Sequence, residues 1–182
     1  MIHQEGPVAL FCILKTMNTR AVWPQMVIEA LCELLSNNAP SDQLEYERIL
    51  AQPFRAMTLI ELFTKNNVEQ QPWAYSMVPS LCNLLQVSHQ LADAFASNTL
   101  FIETISQWLS KEVAIDKADP RRLKSLLDVL RICLNEKAIG TRIPRKLVPA
   151  KAISAINELT TYTQEKKLAL FSLAQELQNR IK

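Results

Sequence analysis

The sequence contains very little glycine, and this scarcity narrows its chemistry. Gly6 and Gly140 are the two glycines among 182 residues. Phosphate loops and dinucleotide-binding turns need glycine, because their backbone adopts positive φ or approaches the ligand closely. The scarcity argues against both kinds of loop and favours a helical protein whose connections are built from Pro, Asn and Ser.

Metal-ligand residues are few and scattered. The histidines are His3 and His89, and the four cysteines lie singly in apolar stretches, with no Cys-x-x-Cys pair: Cys12, Cys32, Cys82 and Cys133. Structural zinc sites draw their ligands from closer spacings. We therefore expect no metal, no cofactor and no disulfide, and we interpret the four thiols as reduced core residues of an intracellular protein, cytoplasmic or nuclear.

A long apolar run is also missing. The longest uncharged run, residues 70–92, is interrupted by polar and helix-breaking residues: Pro72, Pro79, Asn83, Ser88 and His89. A membrane-spanning helix needs about 20 mainly apolar residues. The N-terminus also lacks the basic region and apolar segment of a secretory signal. We expect no association with a membrane.

No set of residues indicates catalysis. General acid–base chemistry needs groups held together in a pocket. The sequence has no carboxylate pair in an apolar setting and no Cys–His motif, and His89 follows Ser88 at a predicted helix start. We expect the protein not to be an enzyme; the enzyme alternative requires a constellation that only folding would assemble.

Helical periodicity is what the sequence has in quantity, and residues 119–136 show it best. Asp119 suits an N-cap and Pro120 suits the first helical position. Apolar residues then recur every three or four positions: Leu123, Leu126, Leu127, Leu130, Cys133 and Leu134. Lys124 and Arg131 lie within helical reach of Asp128 on the other side. This stretch predicts an amphipathic helix with one buried face.

Similar patterns predict the other helices: 7–18, 24–38, 42–52, 54–66, one from Pro72 that either kinks at Pro79 or restarts at Val78, 89–96, 100–112, one from Pro149, and a last one boxed by Thr161 and Gln164 that runs to Ile181. The expected inward residues include Leu44, Ile49 and Leu50 in the third helix, Met57, Ile60, Leu62 and Phe63 in the fourth, and Trp108. No segment alternates with period two. We expect one all-α domain over residues 1–182, with nine or ten helices, either complete or cut from a longer helical protein.

Four helices share a Leu-x-x-Leu-Leu type of ending. These endings begin at Leu31, Leu59, Leu81 and Ile105, with spacings of 28, 22 and 24 residues. The pattern resembles the closing helices of armadillo and HEAT repeats, although the spacing is irregular and the glycine usual between the first two armadillo helices is missing. The resemblance implies an irregular right-handed helical solenoid. The alternative is a non-repetitive helical bundle, since such endings arise in any amphipathic helix.

Charge is unevenly placed along the chain. Residues 1–110 hold five basic and ten acidic residues, whereas residues 111–182 hold fifteen and eight. Residues 120–151 alone hold nine basic and two acidic residues. The basic residues that we single out there are Arg121, Arg122, Lys124, Arg142, Arg145, Lys146 and Lys151. Such asymmetry favours an acidic partner.

These observations favour a protein–protein interaction or scaffold domain that binds an acidic or phosphorylated segment through the basic residues. Trp23 and Trp73, each beside a proline, are further candidate partner contacts because tryptophan is enriched at interface hot spots. The apolar first helix offers a site for self-association. The alternative is binding of an RNA or DNA backbone by residues 120–151, although this segment has no aromatic residue for base stacking.

Overall fold

The computed structural model describes residue 9 and residues 23–37, 40–64, 76–115, 118–138, 140–166 and 168–181, with residues 23–25, 34–37 and 40–43 described by backbone alone. The predicted first helix and the helix opened by Pro72 lie outside these ranges. Within them the chain forms nine α-helices and no strand, in agreement with the all-α prediction. The helices are α1 Trp23–Asn37, α2 Pro40–Leu50, α3 Pro53–Thr64, α4 Val78–Val87, α5 His89–Ser97, α6 Thr99–Val113, α7 Pro120–Asn135, α8 Ala150–Glu165 and α9 Phe171–Arg180, with a 3-10 turn at Arg145–Leu147 before α8.

The chain divides into two compact units between Phe95 and Ala96. In unit 1, α1 packs against α2 and α4, and α2 contacts α3. In unit 2, α6 packs against α7 and α8, and α8 packs against α9. The single domain that we predicted over residues 1–182 stays a prediction.

Two predicted core residues of unit 1 are exposed, and both predictions were wrong. Leu44 of α2 is 56% exposed and Met57 of α3 is 46% exposed. Each residue advances an α-helix by about 100°. The buried face of α2 includes Tyr46, which leaves Leu44 on the outside, and that of α3 includes Ala56, about 100° from Met57. The buried faces of α2 and α3 thus include Tyr46 and Ala56, which we had not assigned to the core, and exclude Leu44 and Met57.

The N-terminal cap of helix α5 is formed by two side chains, one of which comes from α2. The Ser88 hydroxyl accepts the Leu91 N–H, as a serine N-cap does, at 3.2 Å. The carboxylate of Glu47, from α2, accepts the Ser88 hydroxyl at 3.1 Å and the Gln90 N–H at 2.9 Å. This carboxylate satisfies backbone donors that have no partner within a helix and lies where the helix dipole favours negative charge.

The helices of unit 2 alternate in direction. The C-terminal end of α6 meets the start of α7, because Glu112 accepts the Asp119 N–H at 3.0 Å. The start of α8 returns to the start of α6, where Lys151 Nζ lies 2.8 Å from Glu103 Oε2. Helices α6 and α8 therefore run parallel. Their partners α7 and α9 run antiparallel to them, as two stacked helical hairpins.

The core of unit 2 agrees with the predicted faces. The apolar residues predicted inward on α6 are fully buried, Trp108 is 2% exposed, and Leu127 is fully buried on α7. Asp119 caps α7 by accepting the Arg121 N–H at 2.9 Å.

Helix α4 starts at Val78 with Pro79 in its first turn, which confirms the second of the two alternatives for that proline.

The predicted start of the last helix was wrong. Thr161 and Gln164 lie inside α8, which continues to Glu165, and α9 begins only at Phe171. The Thr161 hydroxyl donates to the Asn157 carbonyl at 3.2 Å, one turn earlier, instead of capping a new helix. The neighbouring threonines are buried and bond in the same way, which lets them continue the helix.

Leu127→Ala should remove a fully buried side chain of α7 and lower the free energy of unfolding by about 2–5 kcal/mol. The matched control is Leu100→Ala on α6 in the same unit, where the leucine is 59% exposed; its effect should stay within about 0.5 kcal/mol. Urea unfolding of both variants measures the difference. Equal midpoints would mean that the leucine face of α7 is not buried.

Glu47→Ala should lower the free energy of unfolding by about 1 kcal/mol, because two donors at the start of α5 lose their acceptor. Glu33→Ala on the exposed side of α1 is the control. Thermal unfolding followed by circular dichroism should show a lower midpoint for Glu47→Ala alone. The same midpoint for the two variants would show that the carboxylate adds nothing to the serine cap.

Candidate binding surface

Three of the basic residues singled out in the sequence, Arg121, Arg122 and Lys124, lie at the start of α7. Carboxylates lie close to them. Asp119 Oδ2 lies 3.6 Å from Arg122 Nε, and Asp119 Oδ1 accepts the Arg121 N–H. Glu112, only 4% exposed, accepts the backbone N–H of Asp119. These negative charges offset the unfavourable placement of arginines at a helix N-terminus. They also accept two backbone N–H groups, those of Asp119 and Arg121, that an incoming anion would otherwise use.

Lys124 forms an ion pair within α7. Its ammonium lies 2.7 Å from Asp128 Oδ2, and Arg131 Nη2 lies 3.3 Å from Asp128 Oδ1. The Asp128 side chain is only 6% exposed. A carboxylate this buried is costly without charged partners. Both predicted helical pairs are confirmed, and each cation has a structural function.

Three more of these basic residues, Arg142, Arg145 and Lys146, lie on the segment 140–148. This segment is anchored to α9. The Ile143 N–H donates to the Arg180 carbonyl at 2.9 Å, and Ile143, fully buried, forms a parallel bridge with Ile181. The Arg180 guanidinium donates to the Thr141 carbonyl at 3.1 Å and to Asn135 Oδ1 at 2.8 Å. One arginine thus ties the segment to the C-terminal end of α7.

Local backbone geometry shapes the same segment. Gly140 has a φ of +66°, a conformation that other residues rarely adopt. The 3-10 turn closes with the Leu147 N–H on the Pro144 carbonyl at 2.8 Å, and Lys137 Nζ donates to the Leu147 carbonyl at 3.3 Å. The sequence showed no helical period here, and the structure explains this by an ordered turn that packs through single apolar residues.

Arg142, Arg145 and Lys146 are exposed on this anchored segment. Among the described residues, none of their side chains has a hydrogen-bond or ion-pair partner. Lys151, at the start of α8, belongs to the same end of the unit but is paired with Glu103. We call Arg142, Arg145 and Lys146 the turn cluster.

The basic residues singled out in the sequence lie at opposite ends of α7. The Arg121 end of α7 lies beside the end of α6, whereas the turn cluster lies near Asn135, at the other end of α7. Helix α7 has sixteen residues, a length of about 24 Å at 1.5 Å per residue. The backbone of the segment 140–148 bonds to Arg180 of α9.

An open cavity of about 150 Å³ lies beside the turn cluster. It is lined by Arg145, Ile153, Ile156, Asn157, Gln178 and Ile181. The amides of Gln178 and Asn157 join α9 to α8 through a hydrogen bond of 2.8 Å. Sequence reasoning did not find this cavity, because its walls come from three segments and no local pattern marks it.

Neither candidate tryptophan side chain is among those that the structure describes. Trp23 begins α1, where the structure gives the backbone alone, and Trp73 lies outside the described residues. Exposed apolar side chains elsewhere in unit 1 include Phe54, which is 64% exposed.

The described ranges contain no group of three His, Cys, Asp or Glu residues that could hold a metal ion. No helix there is long and apolar enough to cross a membrane. Cys32, Cys82 and Cys133 are not in disulfide bonds.

Comparison with family models, curated proteins and solved structures found no match for the chain. The resemblance to armadillo and HEAT repeats therefore rests on the residue pattern alone.

Arg180→Ala should loosen the segment 140–148, because two side-chain hydrogen bonds that fix it are lost. Amide hydrogen exchange in this segment should accelerate about tenfold, while the core helices keep their protection. Arg145→Ala is the control, since its side chain has no bonding partner among the described residues. Equal exchange in the two variants would show that Arg180 does not hold the segment.

Proposed function

We propose that the protein is an interaction or scaffold domain that binds an acidic segment of another protein through the turn cluster. One observation carries the proposal: three exposed cations lie together on a hydrogen-bonded turn without an acidic partner among the described residues. Acidic side chains pair with Arg122, Lys124 and Lys151, whereas Arg121 is a single exposed cation at the other end of α7. An acidic ligand would supply the charge that the turn cluster lacks.

Preorganisation supports this choice of surface. A binding segment that is already ordered loses less conformational entropy when the partner arrives. The Ile143–Arg180 hydrogen bond, the 3-10 turn and the Ile143–Ile181 bridge order the backbone that carries the cations. Association should be fast and sensitive to salt, as is typical of electrostatic steering.

The helical arrangement belongs to the same proposal. We infer an irregular armadillo-like or HEAT-like solenoid, and the parallel packing of α6 on α8 supports it for unit 2. Stacked hairpins of this kind, with first helices side by side, are typical of helical repeats. In an ordinary up-and-down four-helix bundle, neighbouring helices pack antiparallel instead.

Arg142→Gln/Arg145→Gln should weaken binding of a fluorescein-labelled peptide of alternating glutamate and serine by about fivefold or more. The control Arg121→Gln/Arg122→Gln removes the same two charges at the other end of α7. Fluorescence anisotropy at low salt measures both. The difference between the variants should vanish near 1 M ionic strength, where the Debye length falls to about 3 Å.

The two variants should have the same melting temperature, because the altered side chains are exposed. Equal affinities of the two variants would overturn the proposal, since binding would then follow net charge and not the turn cluster. Tighter binding of a labelled single-stranded RNA or DNA duplex than of the peptide, lost in Arg142→Gln/Arg145→Gln, would assign the surface to nucleic acid instead.

A further inference from the structure

The cavity beside Arg145 has room for one side chain. Its volume is about 150 Å³, whereas pockets for cofactors and drug-sized ligands measure about 300–1,000 Å³. A cavity of about 150 Å³ in another protein holds a benzene molecule. The size therefore favours a single side chain of a partner over a nucleotide or a cofactor.

The cavity joins aliphatic walls to hydrogen-bond donors. Ile153, Ile156 and Ile181 provide the walls, and Arg145 brings a guanidinium to the same space. The Gln178 amide uses one N–H on Asn157 Oδ1. The second N–H of that amide and the NH₂ group of Asn157 add to the donors of Arg145. Donors outnumber acceptors in this lining, and its one charged side chain is a cation.

We propose that the cavity binds one glutamate side chain of the acidic segment. Its methylene groups contact the isoleucines, and its carboxylate accepts two parallel N–H groups from Arg145, the geometry in which arginine binds carboxylates most strongly. Aspartate has one methylene fewer and reaches the same donors with less aliphatic contact. This proposal rests on the proposed function and deepens it by naming the side chain that the surface selects.

Backbone contacts of the turn fix the main chain of Arg145 beside the cavity. Its carbonyl accepts the Val148 N–H at 3.1 Å within the 3-10 turn, and Val148 is 6% exposed. The preceding Ile143 bridges to Ile181, which itself lines the cavity. The segment that carries the guanidinium and the wall that would contact the methylene groups are thus joined through the backbone.

The experiment separates geometry from charge. Arg145→Lys keeps the positive charge and removes the planar fork that binds a carboxylate bidentately. Arg121→Lys makes the same change at the start of α7, on an exposed arginine that does not line the cavity. The probes are labelled peptides of alternating glutamate and serine, of alternating aspartate and serine, and of alternating phosphoserine and glycine, matched in net charge.

Wild type should bind the glutamate peptide several-fold more tightly than the aspartate peptide. Arg145→Lys should weaken glutamate binding about five- to tenfold and abolish the preference over aspartate. Arg121→Lys should change neither by more than about twofold. Because both variants keep their charge and alter exposed side chains, the melting temperatures should match that of wild type.

Equal affinities of Arg145→Lys and Arg121→Lys, or no preference for glutamate in wild type, would overturn the glutamate site. If Arg142→Gln/Arg145→Gln still weakened binding, the proposed function would survive that result. Tighter binding of the phosphoserine peptide would overturn the choice of glutamate and assign the donors to phosphate. If neither the Gln nor the Lys variants changed binding, both proposals would fail.

Discussion

The burial of helix α6 is the constraint on which unit 2 depends. This helix contacts both α7 and α8, and seven of its fifteen residues are buried: Phe101, Ile102, Ile105, Ser106, Trp108, Leu109 and Glu112. A helix buried on so many sides must satisfy its polar groups internally. Ser106 donates to the Ile102 carbonyl at 2.6 Å, and Glu112 accepts the Asp119 N–H. The second bond also sets where the next helix begins, so packing around α6 and the cap of α7 are one arrangement.

Electrostatics within unit 2 follow from the same arrangement. Carboxylates lie where the helices need them: Asp119 at the cap of α7, Asp128 under two cations, and Glu103 facing the start of α8. Each pairs with a basic residue of the segment 120–151. The segment 140–148 forms no such pair through its three exposed cations among the described residues. The turn thereby carries three exposed cations close together in sequence without an acidic partner in the described part of the chain.

Local patterns predicted the helices well, because capping and periodicity act within a few residues. Asp119, Asn98 and Ser88 all cap the helices that follow them, as their sequence positions indicated. The predicted start of the last helix was wrong because its local pattern was compatible with two structures. Thr161 suited both a cap and a helix interior, and only packing of the neighbouring buried Thr160 and Thr163 selected the interior.

The composition of the proposed binding surface was predictable from the sequence, but its position was not. Charge counting found Arg142, Arg145 and Lys146, since net charge needs no structure. It could not separate them from Arg121 and Lys124, because the separation depends on contacts with Arg180, 39 residues beyond Thr141. Long-range contacts of this kind leave no periodic trace in a sequence. The cavity escaped notice for the same reason, since its lining residues extend from Arg145 to Ile181.

Anchoring and exposure together give the turn cluster its suitability for recognition. Free lysines and arginines on a mobile loop attract an acidic chain without selecting its side chains, because each cation must lose conformational freedom to hold one geometry. Here the backbone is already held by Arg180 and by the buried Ile143, so the guanidinium of Arg145 starts near a defined place. The remaining cost of binding is the ordering of exposed side chains. The adjoining isoleucine wall offers apolar contact that long-range attraction alone does not provide. Charge would therefore set the rate at which an acidic segment arrives, and the cavity would set which residue of that segment is retained.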